Sequence, residues 1–109
     1  MPKVYATQEL SRFDMDAAKA HGELVYILPK HLPHSDNIPA WAINHAQSVL
    51  NDIQPGDFFA LTSPNPLLFG ICFAIFMENA PDGQVNALRF DKSVGGFNKV
   101  KLDFTYPFL

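Results

Sequence analysis

Thr7, Gln8 and Glu9 early in the sequence, and Thr62, Ser63 and Asn65 past its middle, are the polar residues best placed to act together. Each group follows an apolar run that reads as a strand, and in open α/β sheets ligands sit beyond the carboxyl ends of the strands. If the two strands are neighbours, hydroxyls, carboxamides and one carboxylate meet at one edge. Such a set suits a neutral ligand or a peptide. In a small enzyme or nucleotide sensor, Gln8, Glu9, Ser63 and Asn65 would be the working groups. The plainer account is that Ser63 ends a strand and Asn65 caps a helix, roles that both side chains favour. A phosphate cradle is disfavoured, because Thr62-Ser63-Pro64-Asn65-Pro66 has no glycine and two prolines without an N–H. There is no Gly-x-Gly-x-x-Gly and no Walker motif, so no nucleotide cofactor is expected, and nothing in the sequence calls for any other. No convergent set of nucleophile, base and oxyanion donors is present, and no catalytic residue is assigned.

His31 and His34 lie three apart in a proline-containing loop, with His21 and His45 elsewhere, and this matches no zinc spacing. Solvated loop histidines explain the pair, and His45 reads as a surface or boundary residue; no metal site is expected. Glu9, Asp14 and Asp16 resemble an acid cluster, but Asp14 and Asp16 are more simply placed at the positive end of a short helix. The single cysteine, Cys72, is embedded in an apolar helix, where a thiol is inert packing. Trp41, in the first turn of an amphipathic helix, is either a half-exposed contact residue or packing beneath the preceding loop.

The elements that must position these groups are organised around residues 56–79. Phe58 to Leu61 is a short apolar run without polar alternation, as in a strand covered on both faces. Asn65 as cap and Pro66 at the first helical position open the helix that follows. The body of this helix, Leu67 to Met77, is apolar all round and far shorter than the roughly 20 residues that cross a bilayer, so it is expected to be buried in protein and not in a membrane. Leu67, Leu68, Ile71 and Ile75 form an aliphatic face, and Phe69, Phe73, Phe76 and Met77 an aromatic one. Two apolar faces on one helix exceed what a small sheet covers.

Around this centre, Lys3 to Thr7 reads as a first strand and Met15 to His21 as a short helix capped by Asp14 and closed by Gly22. Glu23 to Leu28 is a second strand, stopped by Pro29. A helix from about Pro39 to Ile53, capped by Asn37 or Asp36, buries Ile43, Ala46, Val49, Leu50 and Ile53 and exposes Asn44, Gln47, Ser48, Asn51 and Asp52. Val85 to Phe90 is a fourth strand. After a turn at 93–96 the last strand alternates, with Val100, Leu102, Phe104, Tyr106 and Phe108 on one side and Lys99, Lys101, Asp103 and Thr105 on the other. The order predicts one α/β domain over 1–109: a small three-layer Rossmann-like sandwich with a mostly parallel five-stranded sheet and an antiparallel C-terminal edge strand. An α+β arrangement with a mixed sheet is the alternative.

A hydrophobic content of 48% with 17% charged residues marks a folded globular chain, and 109 residues suffice for a core without staples. The net charge of −3 argues against general nucleic-acid binding, which rests on Lys and Arg neutralising phosphates. The opening Met-Pro-Lys-Val-Tyr lacks a basic segment followed by an apolar run, so a reducing cytoplasm is the expected setting.

The segments Val-Tyr-Ala-Thr-Gln-Glu (4–9), Gly-Glu-Leu-Val (22–25), Gly-Asp (56–57), Asn-Pro (65–66) and Gly70 resemble small bacteriophage-encoded proteins of unknown function. The resemblance spans most of the chain and rests on turns and strand ends. It implies a viral accessory role in a host cytoplasm and carries over no catalytic residue. The expected function is a non-enzymatic binding module acting on a host protein or a small ligand. The competing expectation is a nucleotide sensor or enzyme with its site at the carboxyl ends of strands one and three. A homodimer is also expected, joined through Phe69, Phe73 and Phe76 or through an edge strand bearing Phe104 and Tyr106.

Overall fold

The structure is a computed structural model that describes residues 1–9, 15–30, 37–62 and 65–103. Five strands form one sheet: β1 (Lys3–Ala6), β2 (Glu23–Tyr26), β3 (Phe58–Ala60), β4 (Gln84–Asp91) and β5 (Gly96–Asp103). Their order is β2-β1-β3-β4-β5, and every pairing is parallel except the β4–β5 hairpin. Two α-helices, α1 (Ala40–Leu50) and α2 (Pro66–Asn79), and a 3-10 helix at Asp16–Ala20 complete the main elements. The α/β class, the mostly parallel sheet and the antiparallel edge are as expected. The full helices that a Rossmann-like sandwich sets on its second face are not found among the described residues, where the 3-10 helix stands in their place.

Alternation along the strands explains the two cores. Tyr5, Phe59 and Val85 point to one face, where they meet Ala42, Ala46 and Leu50 of α1 and Leu68, Cys72, Ile75 and Phe76 of α2. Val4, Ala6, Ala60, Leu88 and Phe97 point to the other and meet Met15 and Ala18. Right-handed crossovers require this division. The chain steps one way across the sheet from β1 to β2, through the 3-10 helix, and the opposite way from β2 to β3 to β4, through α1 and α2, so the two directions fall on opposite faces.

Several boundaries differ from expectation, each for a local reason. Strand β1 ends at Ala6, but Thr7 O still accepts Leu28 N–H at 2.9 Å, so ladder bonding outlasts the pleat. Residues 16–20 form a 3-10 helix without a side-chain cap, and Asp14 lies outside the described residues. Gly22 does not close that helix with a left-handed turn. It is needed for clearance, because a Cβ there would stand 2.4 Å from Pro2 O, whose carbonyl accepts Glu23 N–H at 2.9 Å. At α1 the capping position is held by Pro39 in extended conformation, not by Asn37 or Asp36, and Asp36 lies outside the described residues. Asn65 and Pro66 open α2 as expected, the Asn65 carbonyl oxygen accepting from Leu67 N–H at 3.0 Å and Leu68 N–H at 3.4 Å.

The aromatic face of α2 does not wait for a second subunit. Phe69, Phe73 and Phe76 all pack on Phe59 of β3, with ring centroids 5.2 to 5.6 Å away, and Tyr5 meets Phe76 edge-on at 6.0 Å. Phe76, expected at an interface, is therefore a core residue, while Phe69 and Phe73 flank it half-buried. The expectation that α2 is buried all round is also corrected: Leu67, Gly70 and Ala74 form an exposed stripe that continues to Glu78. Phe104 and Tyr106 lie outside the described residues. No helix of the described residues is long and apolar enough to cross a membrane.

Candidate functional site

Strands β1 and β3 are neighbours, paired Val4 to Phe58 and Tyr5 to Phe59, so the two polar groups of the sequence do follow adjacent strands. At this carboxyl edge most of the side chains already have structural work. Gln8 is buried and donates from Nε2 to Pro29 O at 2.9 Å, which ties the exit of β1 to the exit of β2. The Thr62 hydroxyl donates to Met15 Sδ at 3.7 Å, and Asn65 is consumed as the α2 cap. Glu9 is exposed and pairs loosely with Lys30 at 3.8 Å. Ser63 lies outside the described residues. Thr7 alone departs from the pattern: it is fully buried, and its Oγ1 has no hydrogen-bond partner among the described residues.

Trp41, half exposed in the first turn of α1, and Leu67 in the first turn of α2 are the large apolar side chains that the helical layer leaves open. His45 is exposed on α1, whereas His31 and His34 lie outside the described residues. Cys72 is wholly buried, and burial pushes its thiol up to about 12, far from the thiolate that a nucleophile or a metal ligand requires.

The amino edge is built differently. Gln54-Pro55-Gly56-Asp57 is a tight turn closed by Asp57 N–H to Gln54 O at 3.1 Å, with Pro55 in the second position and Gly56 at φ +94° in the third, where glycine carries no steric penalty. The turn delivers the Asp57 carboxylate into the protein at 5% exposure. There Oδ1 accepts Lys3 N–H at 2.8 Å and Oδ2 accepts Gln54 N–H at 2.9 Å, satisfying the first backbone donor of β1 and closing the loop before β3. Tyr5, beneath it, has its phenol pushed up from the ordinary range, by burial first and then by the negative charge of Asp57, Asp52 and Glu23.

Two recesses open around this turn. One, of about 110 Å³, is lined by Ile53, Asp57, Phe76, Pro81 and Asn86. The other, of about 450 Å³, is lined by Lys3, His21, Gly56, Asp57, Phe58 and Lys99 among others. Its walls come from positions far apart in sequence, so no local pattern announced it; the one available sign was the Asp that follows a Pro-Gly turn at the start of a buried strand.

The family model described as phage Pam3 gp32-like protein matches residues 2–104. The chain belongs to this family. The match runs from the first strand through both helices to β5 and so includes both edges of the sheet. No curated protein and no solved structure gives a match. Membership of the phage Pam3 gp32-like family fixes the viral connection that the turns and strand ends implied, and assigns no activity to either edge.

Proposed function

We propose that this phage protein is a non-enzymatic binding module that acts in the host cytoplasm through its helical layer, with a second copy of itself as the simplest partner. The observation that carries this reading is the outer stripe of α2. Leu67, Gly70 and Ala74 are exposed, and Glu78 is the only charged residue among the helix's 14. Nothing stands within 4 Å of where a Gly70 Cβ would be, so a partner backbone has room to approach closely. A solvated helix face ordinarily carries charged or polar groups, as α1 does with Asn44, Gln47 and Ser48. Light scattering at micromolar concentration is expected to give twice the chain mass. Leu67→Asp and Ala74→Glu, both at exposed positions, are expected to give monomers with unchanged circular dichroism. A monomeric unmodified protein refutes the self-association, and the module then acts on a host protein.

One observation favours a second reading, a small-ligand or nucleotide site at the carboxyl ends of β1 and β3: the Thr7 hydroxyl, which has no hydrogen-bond partner among the described residues. A thermal-shift screen of nucleotides tests it, since a ligand bound only by the folded state raises the melting temperature.

A further inference from the structure

We propose that the free edge of β5 takes up an extended segment of another protein, one with carboxylate side chains at alternate positions, as an added strand of the sheet. This goes beyond the helical-layer reading and uses none of its residues.

Backbone direction is the first argument. Leu61 N–H donates to Leu88 O at 2.8 Å, which turns the backbone groups of Leu88 toward β3. These groups alternate from side to side along a strand, so Val85, Ala87 and Arg89 face β5, where they meet Leu102, Val100 and Asn98. The N–H and C=O groups of Lys99 and Lys101 therefore point away from β4, into the free edge. Neither residue makes a backbone hydrogen bond on that side among the described residues. An open row of donors and acceptors has a defined complement, the backbone of another extended segment.

Charge selects the segment. Lys99 and Lys101 lie on the sheet face opposite the α-helices, in step with Phe97, and both are exposed; Asp103 follows them there. Lys99 holds its ammonium 5.7 Å from the Phe58 ring centroid, reaching back across β4 in a cation–π contact. Lys101 has no ion pair among the described residues, where the salt bridges are Lys19–Asp16 and Lys30–Glu9. Lysines on an edge strand ordinarily keep like strands apart. Within residues 97–103, every two-fold antiparallel register that pairs both lysines sets one lysine opposite another. A segment with alternate carboxylates turns the same positions into opposite-charge pairs, and its intervening side chains meet half-buried Val100 and Leu102 on the helical side. The lysines that disfavour a second copy at this edge thus favour an acidic partner.

Amide hydrogen exchange and NMR titration of the full chain test the edge. In the free protein the Lys99 and Lys101 amides are expected to exchange faster than those of Val100 and Leu102, which are bonded to β4. The capped peptide Thr-Glu-Val-Glu-Val-Thr at millimolar concentration is expected to shift the Lys99 and Lys101 amides and slow their exchange. The same peptide with Lys in place of Glu is expected to do neither. An acidic peptide N-methylated at both Glu residues keeps the charge but loses the donors, and is also expected to leave these amides unchanged. Lys101→Glu, at an exposed position, is expected to weaken the acidic peptide about fivefold and to admit the lysine peptide. Slow exchange of Lys99 and Lys101 in the free protein overturns the proposal, because the edge is then already covered, by a second copy if the protection falls on dilution and otherwise by the chain itself. No shift with the acidic peptide, equal shifts with both peptides, undiminished binding of the N-methylated peptide, or binding unchanged in the Lys101 variant overturn it as well.

Discussion

The two edges of the sheet carry similar numbers of polar residues but use them in opposite ways. At the carboxyl edge, Gln8, Thr62 and Asn65 each bond to the protein itself, and Thr7, whose hydroxyl has no partner among the described residues, is sealed inside. At the amino edge a single side chain, Asp57, meets the structural demand by accepting two backbone donors, and Lys3, His21 and Lys99 remain on the wall of an open recess. One carboxylate there does the work that several neutral groups share at the carboxyl edge. Proximity to strand ends is therefore a weaker guide to a site than the hydrogen-bond ledger of the residues found there.

Three substitutions sharpen this contrast, each read by urea denaturation. The largest effect is expected at the amino edge: Asp57→Ala leaves the Lys3 and Gln54 N–H groups without acceptors in a part-buried setting and should cost about 2–4 kcal/mol. A loss under 1 kcal/mol would mean that water replaces the carboxylate easily and that the two edges do not differ. Next, Asn65→Ala removes the α2 cap and should cost about 1 kcal/mol, because the helix is also held by its packing on Phe59. The smallest effect has the opposite sign. Thr7→Val exchanges an unpaired buried hydroxyl for a methyl group of similar shape and should raise stability by about 0.5–1 kcal/mol. Destabilisation there would reveal a hydrogen bond to Thr7 Oγ1 and bring the carboxyl edge back as the better binding site.

The sheet is largely legible in the sequence. Strand positions, the hairpin and the Asn65-Pro66 helix start follow from apolar runs and capping chemistry, which act over a few residues, whereas the neighbouring of β1 and β3 is settled by the sheet pairing. The environment of α2 was not legible, because its composition is apolar on every side and no period distinguishes the side that packs from the side that does not. Tertiary contact decides it: Phe59 gathers three phenylalanines inward, and Gly70 and Ala74, apolar but too small to demand burial, are turned out. Residues 16–20 escaped for a related reason. Their alanines favour an α-helix, but the stretch closes with i to i+3 bonds, Met15 O accepting Ala18 N–H at 2.9 Å and Ala18 O accepting His21 N–H at 3.0 Å. The amino-edge recess was invisible because Lys3, His21, Asp57 and Lys99 come from four distant segments, and the register of a folded sheet is what assembles them.

The central position of β1 also sets a timetable for synthesis. Val4 pairs with Leu24 on one side but with Phe58 on the other, so its second neighbour is made 54 residues later. At about 5–20 residues per second, the nascent chain carries an unpaired β1 flank for roughly 3–10 s before β3 leaves the ribosome to cover it. During that interval Val4-Tyr5-Ala6 is an open template for strand addition. Efficient production of this protein therefore depends on how well that flank is shielded while translation continues.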